Sequence, residues 1–313
     1  MKATVFVNPT LEDGQRIVLG EGPIVFQDHL ISTDARRALL RRTNLQTGET
    51  QNTKVGDPIL GCAAPTEDAQ LLVALTAGIF KYHPETQDLS PLAHPEENRG
   101  AYYNDGKIGP DGAFYVGGMT GKEGEGRLLR ISPEGAYTEP LEDAPPLTTP
   151  NGLHWFPTED PGVWDFYYVC SHYPAIQRYK HHLPTGKMAR QDDLVRLPKA
   201  EFGYLDGMTG SANHLLFLAL YESREYGCLA IDSLTGEILE RIETNAPQTT
   251  SVALHGDTLF ITSASQHYES KDFEKHPNAG AIFKAQLSEA NHPRVREARS
   301  TEPFQLKCPT SKS

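Results

Sequence analysis

The sequence predicts an all-β protein, a six-bladed β-propeller with a central metal site. Short strand-like runs separated by turn residues indicate the β class: Gly (27) and Pro (23) are frequent, and long helical periods are absent. Turn signals that recur about every 50 residues indicate repeated blades. Four remote segments that place an oxygen-bearing side chain beside a glycine indicate the metal site.

The predicted strands are rich in β-branched and aromatic residues and are bounded by turn signals. The first of them could complete the last blade by pairing with the final one, which would close the ring. In chain order the predicted strands are Ala3–Val7, Gln70–Thr76, Gly78–His83, Ala113–Gly117, Arg127–Ile131, Phe166–Cys170, Leu215–Leu220, Thr258–Ser263 and Ala281–Ala285.

The turn signals are regularly spaced. Gly135 and Gly186 are 51 residues apart, and Gly186 and Gly236 are 50 apart, while Gly48 belongs to a similar Thr-Gly turn. A repeat of this length with about four strands per unit is typical of propeller blades, and 313 residues accommodate six of them. A β-sandwich is the competing interpretation, but it would not give so long a regular spacing.

The predicted propeller domain covers residues 1–290. The remainder, residues 291–313, is polar and carries Arg294, Arg296 and Arg299. We expect it to form a C-terminal tail that is partly disordered.

Composition excludes several classes. The net charge of −12 and the lack of a basic run argue against nucleic-acid binding. No signal-peptide core or membrane-spanning run is present, so we expect a cytoplasmic protein without membrane partners, a monomer or weak homo-oligomer acting on a small molecule. Four scattered cysteines without zinc-ribbon spacing are expected to be reduced thiols: Cys62, Cys170, Cys228 and Cys308.

Four segments carry the candidate chemistry. Any one of them alone is an ordinary turn, but a Glu, two Asn and an Asp together supply oxygens suited to Ca²⁺, Mg²⁺ or Mn²⁺ better than to copper. In a propeller, loops at one end of the channel could bring them together. The segments are Gly20-Glu21-Gly22-Pro23, Asn104-Asp105-Gly106-Lys107, Pro150-Asn151-Gly152-Leu153 and Leu205-Asp206-Gly207-Met208.

The order and context of these segments resemble the SMP-30/gluconolactonase family, also called the regucalcin family, from about Glu21 to Leu287. Further matching segments are Pro110-Asp111-Gly112, Tyr115 to Met119, Trp155 after Asn151-Gly152-Leu153, Leu183-Pro184-Thr185-Gly186 and Gly280-Ala281-Ile282-Phe283-Lys284. The resemblance implies a six-bladed propeller that hydrolyses lactones with a divalent cation.

By this resemblance, Glu21, Asn151 and Asp206 bind one divalent cation, with Ca²⁺ preferred and Zn²⁺, Mn²⁺ or Mg²⁺ as alternatives. Asn104 would face the substrate or reach the metal through water. Asp206 is the candidate general base that activates water. A carboxylate bound to a cation is a weaker base, so a second group or a metal-bound hydroxide remains an alternative.

Two departures from the family concern the substrate. Sugar lactonases of the family often carry an arginine just before the Asn-Asp-Gly segment, where this chain has Tyr102 and Tyr103 and a displaced Arg99. Cys170 stands where an aspartate is common. We assign Tyr102 and Tyr103 with Asn104 to substrate binding, with packing as the alternative for the tyrosines, and expect a less polyhydroxylated substrate than an aldonolactone.

Other polar residues are less informative. His181 and His182 are expected to form a solvated hairpin end, with a metal role as the alternative. His154 is expected to pack beside Trp155, with an approach to the channel as the alternative. Asp34 matches a family aspartate near the entrance of the site, although a surface position is equally consistent with the sequence.

Alternative functions remain at this point. Related six-bladed propellers hydrolyse phosphotriesters or fluorophosphates at a comparable calcium site, and a lactone-versus-triester assay separates the two. A calcium-binding protein with little turnover and a biosynthetic accessory propeller are further alternatives.

Overall fold

Six β-sheets, antiparallel except for one short parallel strand pair in the fourth, follow one another along the chain and form a closed ring. The computed structural model describes residues 1–56, 58–97 and 99–307. The first strand of each sheet lies against the first strand of the next, and that of the sixth sheet lies against that of the first. This is a six-bladed β-propeller, as the turn spacing predicts.

The blades differ mainly in the fourth, which has two additional short strands. Blades 1 to 3 consist of β2 Gly20–Phe26, β3 His29–Asp34, β4 Leu39–Asn44 and β5 Thr50–Lys54; β6 Leu60–Pro65, β7 Leu71–Leu75, β8 Gly78–Tyr82 and β9 Leu89–Ala93; and β10 Tyr102–Ile108, β11 Phe114–Met119, β12 Arg127–Ile131 and β13 Tyr137–Thr138. Blade 4 consists of β15 Pro150–Pro157, β16 Val163–Cys170, β17 Ala175–His182 and β18 Lys187–Arg190, with β14 Leu141–Glu142 and β19 Val195–Arg196 added.

The N-terminal strand closes the ring. Blade 5 consists of β20 Tyr204–Gly210, β21 Leu215–Tyr221, β22 Gly227–Asp232 and β23 Ile238–Glu243, and blade 6 of β24 Thr249–His255, β25 Thr258–Ser263, β26 Ile282–Gln286 and β1 Thr4–Val7. Strand β1 pairs with β26, with Thr4 opposite Lys284 and Val5 opposite Phe283. The predicted pairing of the two chain ends is therefore confirmed.

Apolar side chains fill the spaces between blades. Strand β21 is almost wholly apolar and buried because both faces of its sheet are covered by neighbouring blades. Phe217 of blade 5 packs in one cluster with Val252 and Phe283 of blade 6. Short helices lie outside the sheets: α1 Lys199–Phe202, α2 Ser270–Lys275, α3 Pro293–Arg296, and the 3₁₀ turns Ala35–Arg37 and Leu287–Glu289.

The periodic glycines occupy equivalent turns. Gly48, Gly135, Gly186 and Gly236 each lie between the third and fourth strands of a blade, with φ values of 76°, 87°, 70° and 77°. A positive φ strains any residue with a Cβ, so the repeat visible in the sequence reflects one backbone requirement repeated in four blades.

The innermost strand of every blade contains a β-bulge at the same depth. The register shifts between Glu21 and Ile24 in β2 and between Tyr103 and Gly106 in β10. Strands β6, β15, β20 and β24 shift in the same way. A bulge re-aims the side chains at its site, and six of them at one level direct side chains toward a common axis.

The chain after the last blade packs against the propeller. Val295, Ala298 and Leu306 are buried. Residues 300–306 form a strap across one end of the channel: the Ser300 amide donates to Gly256 O (2.9 Å), and the Leu306 amide donates to Pro65 O (3.0 Å). The buried apolar side chains and these hydrogen bonds hold residues 291–307 in place, in contrast to the expected partly disordered tail. Residues 308–313, including Cys308, lie outside the described residues.

The expectation that His181 is solvated is wrong. Its imidazole is buried on β17, where Trp155 Nε1 donates to Nδ1 (3.1 Å) and Nε2 lies 3.0 Å from Tyr115 Oη. Because Trp155 can only donate, the His181 proton belongs on Nε2, which donates to Tyr115, whose hydroxyl donates to Asp111 (3.1 Å). Burial lowers the pKa of His181 to about 4.

This network predicts acid sensitivity. An unfolded histidine titrates near pH 6.5, so the unfolded chain binds more protons than the folded chain between pH 6.5 and about 4. The stability contributed by neutral His181 is therefore complete above pH 6.5 and is lost as the pH falls through that window. At pH 7.5, His181→Phe should lower the free energy of unfolding by about 1–3 kcal/mol, because Trp155 loses its acceptor.

Denaturant unfolding at pH 7.5 and pH 4.5 measures both effects. The His181→Phe variant should lose less stability than wild type between these pH values, and His182→Phe, on the exposed side of the same strand, is the matched control. Parallel losses in wild type and His181→Phe would contradict the assignment.

Among the described residues, no helix is long and apolar enough to cross a membrane. Cys62, Cys170 and Cys228 are buried free thiols inside the blades.

Candidate functional site

The bulges bring the four predicted site residues to one cavity. Glu21, Asn104, Asn151 and Asp206, from blades 1, 3, 4 and 5, line a cavity of about 290 Å³ at one end of the channel, the end opposite the strap. Residues separated by 185 positions in the chain thus share one small space. We call this cavity the upper site.

Three carboxylates lie close enough to affect one another. Burial raises the pKa of Glu21 well above its usual value, and the charges of Asp206 and Asp105 raise it further. Burial and the charge of Asp105 likewise raise the pKa of Asp206. Buried acids that repel one another need a compensating positive charge to remain ionised together, which is the electrostatic condition for binding a cation.

The polar atoms left without partners are oxygens. Asn151 Nδ2 donates to Ser171 Oγ (3.0 Å), and an Asn151–Asp206 hydrogen bond lowers the pKa of that carboxyl, against the dominant effect of burial. The amide oxygen of Asn151 and Oδ1 of Asp206 are buried without hydrogen-bond partners, as is Oδ2 of Asp105. Unpartnered buried acceptors are costly, and oxygens of this kind fit a hard cation.

The ligand set is mixed. Within the described parts of the chain, no three Asp, Glu, His or Cys side chains converge as a metal-binding cluster. The mutually repelling acids thus do not form a complete carboxylate cage, and a neutral amide oxygen such as that of Asn151 would have to complete the ligand set.

Asn104 is oriented by the neighbouring blade. Its Nδ2 donates to Pro150 O (2.8 Å), which fixes the orientation of the side-chain amide. The amide oxygen of Asn104 takes no part in that hydrogen bond. Asn104 is only partly buried. It can therefore offer an acceptor and a second N–H to a molecule in the upper site.

Two glycines beside the site are required by close packing between blades. A Cβ on Gly207 would lie 1.9 Å from Ser251 Oγ, and a Cβ on Gly152 would lie 2.5 Å from Met208 N. The strands that carry Asn151 and Asp206 therefore approach the neighbouring strands so closely that no residue larger than glycine fits at Gly152 or Gly207.

The two tyrosines differ in environment. Both line the upper site, but Tyr103 is buried in the core cluster between blades 2 and 3, whereas Tyr102 is half-buried. The Arg36 guanidinium lies 5.7 Å from the centre of the Tyr102 ring, and its Nε donates to Gln266 (3.3 Å). Tyr102 is thus the tyrosine that can present its ring to a ligand. The positively charged guanidinium of Arg36, from blade 1, lies on the same wall of the upper site.

Other predicted residues have structural environments. Arg99 is held by Glu96 (2.6 Å), and Cys170 is buried in the core of blade 4. Asp34 is neither at an entrance nor on the surface: it is buried and accepts hydrogen bonds from the amides of Val18 (3.1 Å) and Leu19 (3.0 Å). These three residues do not line the upper site.

Sequence reasoning missed Arg36, Asp105 and His172. Asp105 directly follows Asn104 and could have been noticed as a second acid of the same motif. Arg36 and His172 line the upper site from a 3₁₀ turn and a loop that carry no periodic pattern.

Comparisons with known proteins agree with this architecture. Residues 19–265 match the family model described as SMP-30/Gluconolactonase/LRE-like region. A Bacillus subtilis (strain 168) protein named "Putative sugar lactone lactonase YvrE" is 26% identical over 289 residues, covering 90% of this chain and 95% of that protein. Regucalcin of Gallus gallus is 22% identical and covers 86% of this chain and 91% of its own.

Solved structures show the same fold. The calcium-binding protein regucalcin from Agrobacterium tumefaciens superposes with a TM-score of 0.82 at 20% identity, covering 98% of both chains. A gluconolactonase from Xanthomonas campestris superposes with a TM-score of 0.65 at 15% identity, covering 90% of this chain and 88% of its own.

Proposed function

We propose that this chain, which belongs to the SMP-30/gluconolactonase/LRE-like family, is a divalent-cation-dependent hydrolase that opens small lactones at the upper site. The names of relatives, a sugar lactone lactonase and a gluconolactonase among them, support the reaction class. The observation that carries the proposal is the pair of unpartnered oxygens on Asn151 and Asp206 beside mutually repelling carboxylates.

Glu21, Asn151 and Asp206 would hold one divalent cation. Ca²⁺ is the first candidate because the donors are carboxylate and amide oxygens, and Zn²⁺, Mn²⁺ and Mg²⁺ are alternatives. When bound, the cation supplies a Lewis acid that polarises the lactone carbonyl and stabilises negative charge on its oxygen.

The protein supplies proton transfer and orientation. Asp206 Oδ1, which has no hydrogen-bond partner, accepts a proton from the water that attacks the carbonyl carbon. The ring C–O bond then breaks, and the departing alkoxide takes that proton, so the product is a hydroxy acid. Asn104, held by Pro150 O, orients the lactone through its remaining polar atoms.

The wall near Tyr102 determines which lactones fit. The aromatic ring of Tyr102, with its single hydroxyl, contacts the apolar carbons of a lactone better than it binds several hydroxyls. The Arg36 guanidinium lies over the same aromatic ring. We therefore propose that the upper site takes lactones less hydroxylated than aldonolactones as well as sugar lactones.

A lactone panel tests the reaction and the specificity. Alkyl-substituted γ- and δ-lactones should have kcat/KM values within about tenfold of that for gluconolactone, because apolar pockets discriminate weakly. Tyr102→Arg should shift the preference toward gluconolactone, since a guanidinium offers several donors to hydroxyls.

Tyr137→Arg, on an exposed strand of the same blade, is the matched control and should leave the preference unchanged. Strict selectivity for sugar lactones that Tyr102→Arg does not alter would contradict the proposed wall. Turnover of a phosphotriester but of no lactone would replace the proposed reaction class.

A further inference from the structure

A second, larger cavity occupies the other end of the channel. It measures about 450 Å³, which is within the range of small-molecule sites, and the strap forms one wall through Pro303 and Phe304. We call it the lower cavity. None of its lining residues lines the upper site.

One ring of equivalent positions surrounds the lower cavity. The residue three places after the first bulged position of each innermost strand lines it in all six blades: Val25, Ala64, Lys107, His154, Thr209 and Ala253. Val25 is apolar, and three of the others are small, which leaves space. The other two, on adjacent blades 3 and 4, are basic side chains.

Lys107 is a cation with unused donors. Its ammonium donates to Met208 O, and no other hydrogen bond joins it to the described residues. No carboxylate oxygen of the described chain lies within 4.0 Å of it. Burial lowers the pKa of Lys107 to about 8, against the opposing charge of Asp105, so it remains largely protonated at pH 7. The partly buried ammonium has three N–H donors, and two of them make no hydrogen bond to the described residues.

The ring of His154 forms part of the wall of the same cavity. Its Nε2 is buried and makes no hydrogen bond, and its ring packs edge-on against Phe156. Burial, and then the charges of Lys107 and His214, lower its pKa well below the usual value, so the imidazole is neutral. Nε2 faces the inner strand of blade 5, where a Cβ on Gly210 would lie 2.3 Å from it, so His154 contributes an uncharged wall to the lower cavity.

The remaining lining favours an apolar body and a single negative charge. Ile24, Phe26, Ile108, Leu254 and Phe304 provide apolar contacts. Glu302 also lines the cavity, and its carboxylate would oppose negative charge on a ligand beyond the one that Lys107 neutralises.

We propose that the lower cavity binds a small organic monocarboxylate, with the carboxylate on Lys107 and a short apolar body against the walls, of which the uncharged ring of His154 is a part. The site is separate from the upper site: Lys107 follows Asn104 by three residues on β10, a distance of about 10 Å along a strand. Binding requires neither a cation nor a lactone.

Calorimetric titration with sodium hexanoate tests the proposal, first with Ca²⁺ present and then after EDTA treatment. Hexanoate should bind under both conditions, and 1-hexanol, which has the same body without the charge, should bind much more weakly. Lys107→Met should weaken hexanoate binding by about 10- to 100-fold, the usual loss for a hydrogen bond to a charged group. Lys122→Met, which removes an exposed lysine of the same blade, should have no effect.

Thr209→Leu provides a second variant that leaves Lys107 intact but fills the lower cavity, and it should also weaken binding. The proposal is overturned by equal affinity for hexanol and hexanoate, by undiminished binding in both Lys107→Met and Thr209→Leu, or by no binding of hexanoate at millimolar concentration. Loss of binding only after EDTA treatment would assign the carboxylate to the upper site instead. Because no lactone is used, none of these results depends on the proposed hydrolysis.

Discussion

Chelation with excess EDTA will abolish lactone hydrolysis, and Ca²⁺, Mn²⁺, Mg²⁺ or Zn²⁺ added back will restore it to differing extents. Without a cation, Glu21, Asp105 and Asp206 repel one another, and their burial favours protonated forms that cannot act as bases. The same cation should stabilise the fold, since a ligand at 100 times its Kd contributes about 2.7 kcal/mol.

Thermal unfolding gives a readout that does not depend on catalysis. Added Ca²⁺ should raise the Tm of the wild type by several degrees, and Asn151→Ala should remove most of that increase because it deletes an unpartnered amide oxygen. Asn52→Ala, on the outermost strand of blade 1, is the matched control. Full activity in excess EDTA, with no metal found by elemental analysis, would disprove the cation requirement.

The fold was predictable because four blades repeat one backbone requirement. A hairpin turn with positive φ favours glycine, so Gly135, Gly186 and Gly236 mark successive blades in the sequence itself, whereas blade 2 has Gln87 at φ 62° in the corresponding turn. The pairing of β1 with β26 was predictable as well, because a ring of blades leaves the two end strands nowhere else to pair.

The site was predictable only where side chain and glycine are adjacent in sequence. Asn151 and Asp206 are visible because the glycines after them permit the close packing of β15 and β20. Arg36 reaches the upper site from an irregular turn, and no sequence pattern relates it to Tyr102 on another blade.

The misinterpreted histidine illustrates a second limit. His181 ends a strand near a Pro-Thr-Gly turn, where solvent exposure is the usual outcome. It is buried because Trp155 and Tyr115, which are distant in sequence, cover it. An approach of His154 to the channel was one alternative from the sequence, but its place with Lys107 at the lower cavity depends on the bulges that align the six inner strands.

Replacement of Asp206 by asparagine should reduce kcat by about 10²–10⁴-fold while the fold is retained. The substitution keeps the shape of the side chain and one oxygen, but it removes a negative charge and the proposed proton acceptor. Asn104→Ala should act differently: it removes contacts to the lactone but no proposed cation ligand, so it should mainly raise KM.

The comparison of three variants separates these roles. Asp206→Asn and Asn104→Ala are measured with saturating Ca²⁺, and Asp192→Asn, an exposed aspartate of blade 4, controls for the loss of one charge. Calcium binding by Asn104→Ala should match the wild type, whereas Asp206→Asn should bind calcium more weakly because a neutral amide replaces a carboxylate. If saturating calcium returns Asp206→Asn to a wild-type kcat, Asp206 acts only as a ligand. The proton acceptor must then be another acid beside the upper site, and Asp105, with its unpartnered Oδ2, is the first candidate.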